Sequence, residues 1–292
     1  MALDNFIPEI WSANLLVSLQ KSFVYADPYV INGDYEGEIR KMGDSVRISS
    51  IGDPTISNYV KNTAIGNPQE LTSAQSTLTI SQAKSFNFMV DDVDAAQANI
   101  SVMQEAMRRA AYRLKDGYDQ FIAALYTDIA AANITFPDTA PFTPTITAGT
   151  GYNDAYDQLI TLEVKLDENN IPEDGRWVVI PPWYEGLLLR DNRFVSFGTD
   201  ANRDTLANGV IGRVGGMVVK KSNNVPNITG TKYKIIAGHS MAWSAANQIN
   251  EVEAYRHQQF FADAMRGLFL YGAKVLRPES LAMMSCNRPA GA

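Results

Sequence analysis

The feature that most constrains the fold is a change of hydrophobic period near residue 91. From Thr77 to Val90 the sequence TLTISQAKSFNFMV alternates, with Leu78, Ile80, Phe86, Phe88 and Val90 on one parity and mostly polar residues on the other. Period two predicts a β-strand. From residue 91 to residue 132 the apolar residues recur instead at an average spacing of 3.6, which predicts a helix. The chain is therefore expected to combine a sheet with a long helix that packs along it.

A second strand is predicted just before this one. VRISSI begins at Val46, and the segment GDPTISNYVKNTAIGNPQELTSAQS separates it from the alternating stretch. Because that segment is polar and rich in turn residues, the two strands are expected to form an extended β-hairpin that projects from the body. An isolated hairpin is marginally stable in water, so we expect a neighbouring chain to support it.

The long helix is predicted from a single apolar stripe, with Asp91 or Asp92 as its N-cap, Pro137 beyond its end and a possible kink at Gly117. The stripe consists of Val93, Ala96, Ile100, Met103, Met107, Ala110, Leu114, Tyr118, Phe121, Leu125 and Ile129. A coiled coil is the competing interpretation. The Ala and Tyr residues of the stripe favour packing along a sheet instead, because a coiled-coil seam requires a sustained Leu/Ile heptad.

The remaining segments are predicted as follows. Residues 1–45 form an arm with a short apolar helix at Ile10–Phe23, and the Pro- and Thr-rich residues 133–150 form a linker. Helices and short strands alternate over residues 153–256, with Asn153 as a possible cap and GRWVVIPP as a buried strand. A strand at Leu268–Leu276 is followed by a turn and a short apolar end.

A glycine-rich stretch, NGVIGRVGGMVVKKSNNVP, raises the question of a phosphate site. It contains Gly209, Gly212, Gly215 and Gly216, but Gly-Lys-Ser or Gly-Lys-Thr, which a P-loop requires, occurs nowhere in the chain. The dinucleotide motif is also absent, and the β-branched residues that follow predict a strand, not the helix that would bind a phosphate. The stretch is predicted to be a turn in which missing side chains permit close backbone approach.

No other pattern predicts catalysis. Cys286 is the single cysteine, and His239 and His257, the two histidines, lie in no recognisable cysteine-enzyme context. Metal-binding motifs are absent, and HQQFFAD offers only one His and a distant Asp. The acidic residues Asp91, Asp92 and Glu168 are expected to cap or solvate helices. We therefore predict a protein that is not an enzyme and has no catalytic, cofactor-binding or metal site.

The charge of the chain, −7, argues against a general nucleic-acid surface. The pairs Arg108–Arg109 and Lys220–Lys221 are each interpreted as solvated surface charge, although either pair can form a local basic patch. The N-terminus has no Lys or Arg before Lys21, which is not typical of a secretory signal, and no run of about 18 apolar residues predicts a membrane span.

Three stretches, in this order and spacing, carry a family resemblance. They are IPEDGRWVVIPPWYEGLLLRDNRFV from Ile171, the glycine-rich stretch from Asn208, and EVEAYRHQQFFADAMRGLFLYGAKVLRPESLAMM from Glu251. Over residues 40–285 the chain resembles the major capsid proteins of tailed bacteriophages, which have the Hong Kong 97-type capsid fold.

The resemblance implies an α+β fold with five parts. These are an N-terminal arm (1–45), an extended hairpin called the E-loop (46–90), a peripheral domain with a spine helix (91–150), an axial domain (151–250), and a return strand to the peripheral domain with the C-terminus (251–292). It implies that copies of the chain form hexamers and pentamers of an icosahedral virion shell, assembled in the host bacterial cytoplasm. The shell would enclose double-stranded DNA without sequence-specific binding.

The resemblance also implies partners and leaves alternatives open. A separate scaffolding protein and a portal are expected, a decoration protein can be added to the shell, and no membrane partner is expected. Some members of the family are joined by Lys–Asn isopeptide bonds; Lys61 and Lys84 lie in the predicted hairpin, but neither matches the cross-linking lysine, so non-covalent assembly is expected. The alternatives are an encapsulin-type nanocompartment, a tail or decoration protein, and a soluble α/β enzyme with an unrecognised site.

Overall fold

The computed structural model describes residues 24–33, 45–51, 54–56, 58, 61–62, 69–70, 73–91, 102–144, 154–190 and 212–289. The predicted helix at Ile10–Phe23, the predicted caps Asp92 and Asn153, and Gly209 lie outside these residues. The helices are α1 (Val102–Ala123), α2 (Ala155–Glu168) and α3 (Pro182–Leu189). The strands are β1 (Ser45–Ile51), β2 (Ser73–Thr79), β3 (Gln82–Asp91), β4 (Ile134–Phe136), β5 (Arg176–Ile180), β6 (Arg213–Val214), β7 (Met217–Lys221), β8 (Lys232–His239), β9 (Trp243–Arg256), β10 (Ala262–Val275) and β11 (Leu281–Asn287).

The predicted hairpin strands pair as expected. β1 and β2 are antiparallel, from Ser45 opposite Thr79 to Ile51 opposite Ser73. The prediction of one strand from Thr77 to Val90 is wrong, because the chain leaves one sheet at Ile80–Ser81 and enters another. β3 then pairs antiparallel with β10, which pairs in turn with β9, in a three-stranded sheet. The alternating period continues across this break, so it gives no sign of the change of partner.

Helix α1 packs along the three-stranded sheet through one face. Met107, Leu114 and Tyr118 are buried, and the Tyr118 ring contacts Phe269 and Tyr271 at centroid distances of 5.7 and 5.1 Å. The helix passes through Gly117 without interruption, and it ends at Ala123 in a 3₁₀ turn, nine residues before its predicted end. The predicted sheet packing is confirmed for the described part of the helix.

The second main layer is a six-stranded mixed sheet with the order β4-β11-β8-β5-β7-β6. Every residue of β5 is buried, as predicted for GRWVVIPP. Trp177 and Val179 belong to the core cluster that includes α1, whereas Val178 and Ile180 pack with α2 and α3. The alternating side chains of β5 therefore fill cores on both faces of this sheet. The predicted mixture of helices and short strands is confirmed, with Asp154 at the N-cap position of α2.

Two segments have more structure than predicted. The supposed linker 133–150 contains β4, which pairs parallel with β11, and Phe142, which bridges to Cys286. The buried Lys234 helps to hold this segment, because it forms an ion pair with Asp138 and donates a 2.7 Å hydrogen bond to Ser285 Oγ. The short apolar end is β11, a strand between β4 and β8 in the sheet.

The strands around residue 260 are longer than predicted. Toward the end of the region predicted to have short strands, residues 243–256 form one long strand, β9, and β10 begins at Ala262, six residues before the predicted Leu268. The two strands pair through most of their length, with a register shift at Leu268/Phe269. They therefore form a long hairpin whose turn lies at residues 257–261.

Candidate assembly surfaces

The glycine-rich stretch is a turn between strands, as predicted. Gly215 and Gly216 have φ angles of +54° and +80° and connect β6 to β7. A Cβ added at Gly215 would collide with the carboxylate of Glu163 and lie 2.9 Å from Ile160 Cδ1. A carboxylate packed against the turn disfavours a phosphate at the same place, and burial raises the pKa of Glu163.

The cysteine is a buried core residue, and each of the two histidines forms hydrogen bonds with nearby backbone groups. Cys286 is fully buried in β11, and this burial raises the pKa of its thiol to about 12. His239 Nε2 donates to the carbonyl oxygen of Asp174 at 2.8 Å, and its Nδ1 accepts from Met241 N–H. His257 Nδ1 accepts from two backbone N–H groups of its own turn, at Gln259 and Phe260. Within the described residues no group of three or more His, Cys, Asp or Glu is placed to hold a metal.

The acidic residues singled out in the sequence are also structural. Asp91 is the last residue of β3, opposite Ala262, and the start of the helix that it was predicted to cap lies outside the described residues. Glu168 ends α2 and forms a 2.7 Å ion pair with Lys165. No described helix is long and apolar enough to cross a membrane.

The basic residues differ in their surroundings. Lys220 pairs with Asp27 at 2.7 Å, and Lys221 pairs with Glu185 at 2.6 Å. Arg108 and Arg109 are exposed on α1, and Lys84 is exposed on β3. The Lys220–Lys221 pair is therefore neutralised by carboxylates of the same chain.

The β1–β2 hairpin is anchored where it leaves the body. Val46, Leu78 and Ile80 form a small core with Ala246 and Leu270 of the three-stranded sheet. Beside this core Lys274 Nζ donates to the carbonyl oxygen of Thr77 at 3.0 Å. At Gly272 a Cβ would meet the backbone of Thr79 and Ile80, with Ile80 Cα only 3.0 Å away. The base of the hairpin is thus packed backbone to backbone against β10.

The connections of both hairpins, here called their tips, expose apolar side chains. Ile56, in the connection between β1 and β2, is 94% exposed. At the turn between β9 and β10, Phe260 and Phe261 are 54% and 83% exposed. The His257 ring lies 5.1 Å from the Phe260 ring and helps to order this turn. Contiguous exposed apolar surface marks protein contacts, and the adjacent Phe260 and Phe261 contribute such surface, whereas a single exposed residue such as Ile56 is common on any protein.

A buried carboxylate provides the first of two attachments of residues 24–33 of the arm to the body. Asp119 Oδ1 accepts from the backbone N–H groups of Val24, Tyr25 and Ala26 at 3.1, 2.7 and 3.4 Å. Its Oδ2 accepts from Asn224 Nδ2 at 3.0 Å. Burial raises the pKa of Asp119, and these hydrogen bonds oppose that rise because they favour the charged form.

A second attachment lies at Trp243, the first residue of β9. Trp243 Nε1 donates to the carbonyl oxygen of Val30 at 2.7 Å, and the ring stacks on Trp177 with centroids 5.2 Å apart. The backbone of Asn32 pairs with that of β9 through Trp243 and Ala245. This part of the arm therefore joins the α1 core to the six-stranded sheet.

The arrangement offers surfaces in place of a catalytic centre among the described residues: two projecting hairpins and an anchored arm. Sequence reasoning expected the first hairpin and the arm. It missed the aromatic tip at Phe260–Phe261, although two adjacent phenylalanines in a polar segment were a visible signal. It also missed Asp119, for which the sequence offered no signal, since the partners of this carboxylate are mainly backbone groups.

The chain is similar in fold to chains of known phage particles. A chain from a solved structure of Mycobacterium phage Che8 is 28% identical and superposes with a TM-score of 0.70, with 97% of this chain and 98% of that one covered. A chain from the capsid of the cyanophage P-SCSP1u has the same TM-score at 19% identity, covering 92% and 90%. A chain from the holo-SrpI encapsulin complex of Synechococcus elongatus PCC 7942 is less similar, with a TM-score of 0.52, 12% identity and coverage of 84% and 82%.

No curated protein matches the chain by sequence. The sequence pattern of the family described as phage capsid protein matches residues 73–284, which is well over half of the 292 residues. The match includes both strands of the aromatic-tipped hairpin, all of α1 and most of the six-stranded sheet. The predicted resemblance is confirmed, and the chain belongs to the phage capsid protein family.

Proposed function

We propose that this chain is the major capsid protein of a tailed phage, and that many copies form the icosahedral shell of the virion head around double-stranded DNA. The family match and the likeness to phage capsid chains support a shell protein that associates with copies of itself. The shell consists of hexamers and pentamers, assembled in the host cytoplasm. The chain acts structurally and not as an enzyme.

The observation that carries this proposal is the pair of projecting hairpins with apolar tips. In a single copy the Ile56 and Phe261 side chains are 94% and 83% exposed. Fully burying a large apolar side chain stabilises by about 1.5–3 kcal/mol, so a neighbour that covers these tips gains free energy at each contact. Because the tips lie on different hairpins, each copy contacts others through dissimilar surfaces. Such heterologous contacts build closed assemblies when the geometry closes.

The parts of the subunit take the roles that the family resemblance implied. The hairpin within residues 46–90 is the E-loop and lies over an adjacent subunit, while the arm in residues 1–45 lies beneath one. Residues 91–150 form the peripheral domain, residues 151–250 the axial domain, and residues 251–292 return to the peripheral domain. Subunits assemble without covalent cross-links, so Lys61 and Lys84 are not joined to a neighbour.

The other partners follow from the requirements of a DNA-filled head. A separate scaffolding protein directs assembly, a portal provides the opening for DNA, and a decoration protein can bind the finished shell. The enclosed DNA is not read by sequence. The acidic net charge of −7 supports this, because like charge limits general adhesion of the shell to DNA.

An encapsulin-type compartment is the second candidate, since such a shell encloses a cargo protein in place of DNA. The likeness to the SrpI encapsulin, at a TM-score of 0.52, favours this reading less than the phage capsids at 0.70 do. The contents of the particle distinguish the two candidates.

Electron microscopy of the full-length protein tests the proposal. The protein is expressed alone and with a candidate scaffolding protein, and the particles are separated by size exclusion. Closed shells, hexamers or pentamers are the expected result. A monodisperse monomer under every condition would contradict it, and a protein cargo within shells would favour the encapsulin.

Two variants connect assembly to the hairpins. Ile51 lies opposite Ser73, so an Asn-Gly turn that replaces residues 52–72 keeps the β1–β2 pairing and removes only the connection. A second variant, Phe260→Ser/Phe261→Ser, removes the aromatic tip. Both are expected to fold but to assemble poorly. The control is Ile228→Ser, which removes an apolar side chain that is 56% exposed on another turn. Equal shell yields for all three variants would refute the role of the tips.

A further inference from the structure

Helix α1 presents a basic face on the side away from the sheet. Arg108, Arg109 and Arg113 are exposed there, and the Tyr112 ring among them is 62% exposed. The opposite face, with Met107, Leu114 and Tyr118, is buried. The hydrophobic core therefore accounts for one side of this helix but not for the other.

The four residues form one continuous patch. At 3.6 residues per turn they lie within about 140° of the helix circumference. Arg108 and Arg109 precede Tyr112 by four and three residues, and Arg113 follows Arg109 by four, so each is a surface neighbour of another member. From Glu105 to Asp116 the helix carries four basic residues, Lys115 among them, against two acidic ones.

Arg113 of this patch differs from the other basic pair of the sequence. Lys220 and Lys221 each face a carboxylate of the same chain. Arg113 has no such carboxylate partner in the described part of the chain. It also carries the same positive charge as Arg109, which lies four residues earlier on the helix. Like charges at this spacing destabilise a helix by a few tenths of a kcal/mol, a cost that a bound anion offsets.

We propose that this patch, formed by Arg108, Arg109, Tyr112 and Arg113, contacts the phosphate backbone of the packaged DNA. The inference rests on the proposed function. Arginine is suited to phosphate because its planar guanidinium donates paired hydrogen bonds, and a tyrosine hydroxyl also donates to phosphate oxygens. An ordered basic patch on an acidic chain gives the DNA a fixed point of contact while the rest of the surface repels it.

The chemistry of the patch distinguishes phosphate contact from base reading. The four side chains lie on the surface of a helix whose other face is packed on a sheet, and their contacts with phosphate carry no sequence information. Binding is therefore expected to depend strongly on salt and to be the same for any duplex sequence.

The experiment measures binding of a fluorescently labelled DNA duplex to full-length, unassembled subunits by anisotropy, at several salt concentrations. The test variant is Arg108→Gln/Arg109→Gln/Arg113→Gln. The control variant is Lys61→Gln/Lys84→Gln/Arg213→Gln, which removes three exposed positive charges elsewhere and changes the net charge equally. Circular dichroism verifies that both variants are folded.

The test variant is expected to lower the slope of log affinity against log salt by about 2–3, because each lost phosphate contact contributes about 0.9. The control variant is expected to retain the wild-type slope. Equal slopes in the two variants would overturn the proposal. A test variant that binds DNA like the control but forms no shells would also overturn it, and would assign the patch to an acidic protein partner such as a scaffold.

Shell formation by the wild-type protein, observed in the same preparations by electron microscopy, tests the proposed function separately. Shells without the difference in slope refute only the DNA contact. A wild-type protein that never forms shells refutes the proposed function, whatever the slopes are.

Discussion

The close packing at the base of the β1–β2 hairpin predicts opposite effects of one chemical change at two glycines. A Cβ at Gly272 would meet only backbone: Ile80 Cα at 3.0 Å, the carbonyl carbon of Thr79 at 3.1 Å, and the Thr79 oxygen closer still. At Gly117, inside α1, a Cβ would have no neighbour within 4 Å. We therefore expect Gly272→Ala to destabilise the subunit and Gly117→Ala to stabilise it.

The expected changes in the free energy of unfolding follow from these contacts. Overpacking against backbone that cannot rotate away costs about 1–3 kcal/mol, and the lower entropy of the unfolded alanine chain offsets about 0.4–1 kcal/mol of this. The net loss for Gly272→Ala is then about 1–2 kcal/mol. Replacing a glycine within a helix by alanine gains about 0.5–1 kcal/mol. For a chain of this size, 1 kcal/mol corresponds to a shift of roughly 2–4 °C in Tm.

The assay is thermal unfolding of full-length, unassembled subunits at one fixed protein concentration, because assembly would itself add stability. The Tm of Gly272→Ala is expected to fall by several degrees below wild type, and that of Gly117→Ala to rise. If Gly272→Ala melts at or above the Tm of the wild type, the hairpin base is not packed against Gly272 and the reasoning is wrong.

Three further predictions concern buried groups. Asp119→Ala removes the acceptor of the buried Tyr25 N–H and should lower the free energy of unfolding by about 2–4 kcal/mol in urea titrations; a loss below about 0.5 kcal/mol would contradict the attachment of the arm. Burial raises the pKa of Asp119, so the folded state keeps this proton at pH values where the unfolded state has lost it. Its contribution to stability should fall as pH rises from the ordinary Asp range through the raised pKa, and Asp119→Asn, compared between about pH 4 and 7, should lack that part of the slope. The buried thiol of Cys286, with a pKa of about 12, should resist a thiol reagent at neutral pH until the protein is unfolded, and full labelling of the native protein would refute its burial.

Local patterns in the sequence predicted those elements that local spacing determines. The face of α1 with Met107, Leu114 and Tyr118 follows from a 3.6-residue repeat, and the burial of β5 follows from a short apolar run between turn residues. The turn at Gly215–Gly216 was predicted because no phosphate motif fits its spacing and β-branched residues follow. Each of these inferences needs only neighbours along the chain.

Strand partners could not be predicted in this way, because pairing joins distant segments. Nothing in Ile134–Phe136 or Leu281–Asn287 indicates that these two strands lie side by side. The break at Ile80–Ser81 is also invisible, since period two continues across it although the strand changes sheets. The exposure of Phe260 and Phe261 depends in turn on the long pairing of β9 with β10. The family resemblance supplied the order of the parts, but not these contacts.

The position of β11 has a consequence for the timing of protein synthesis. This strand lies between β4 and β8, yet it is translated more than forty residues after β8 begins. A nascent chain that has not passed residue 287 therefore lacks the strand that joins β4 to the rest of the six-stranded sheet, and β8 lies at the edge of what remains. Because pairing over such separations is slow and has to wait for the last strand, a ribosome-bound chain has an incomplete core until this point. A product truncated before this strand lacks the buried side chains of Leu281–Cys286 and so cannot complete the core of a mature subunit.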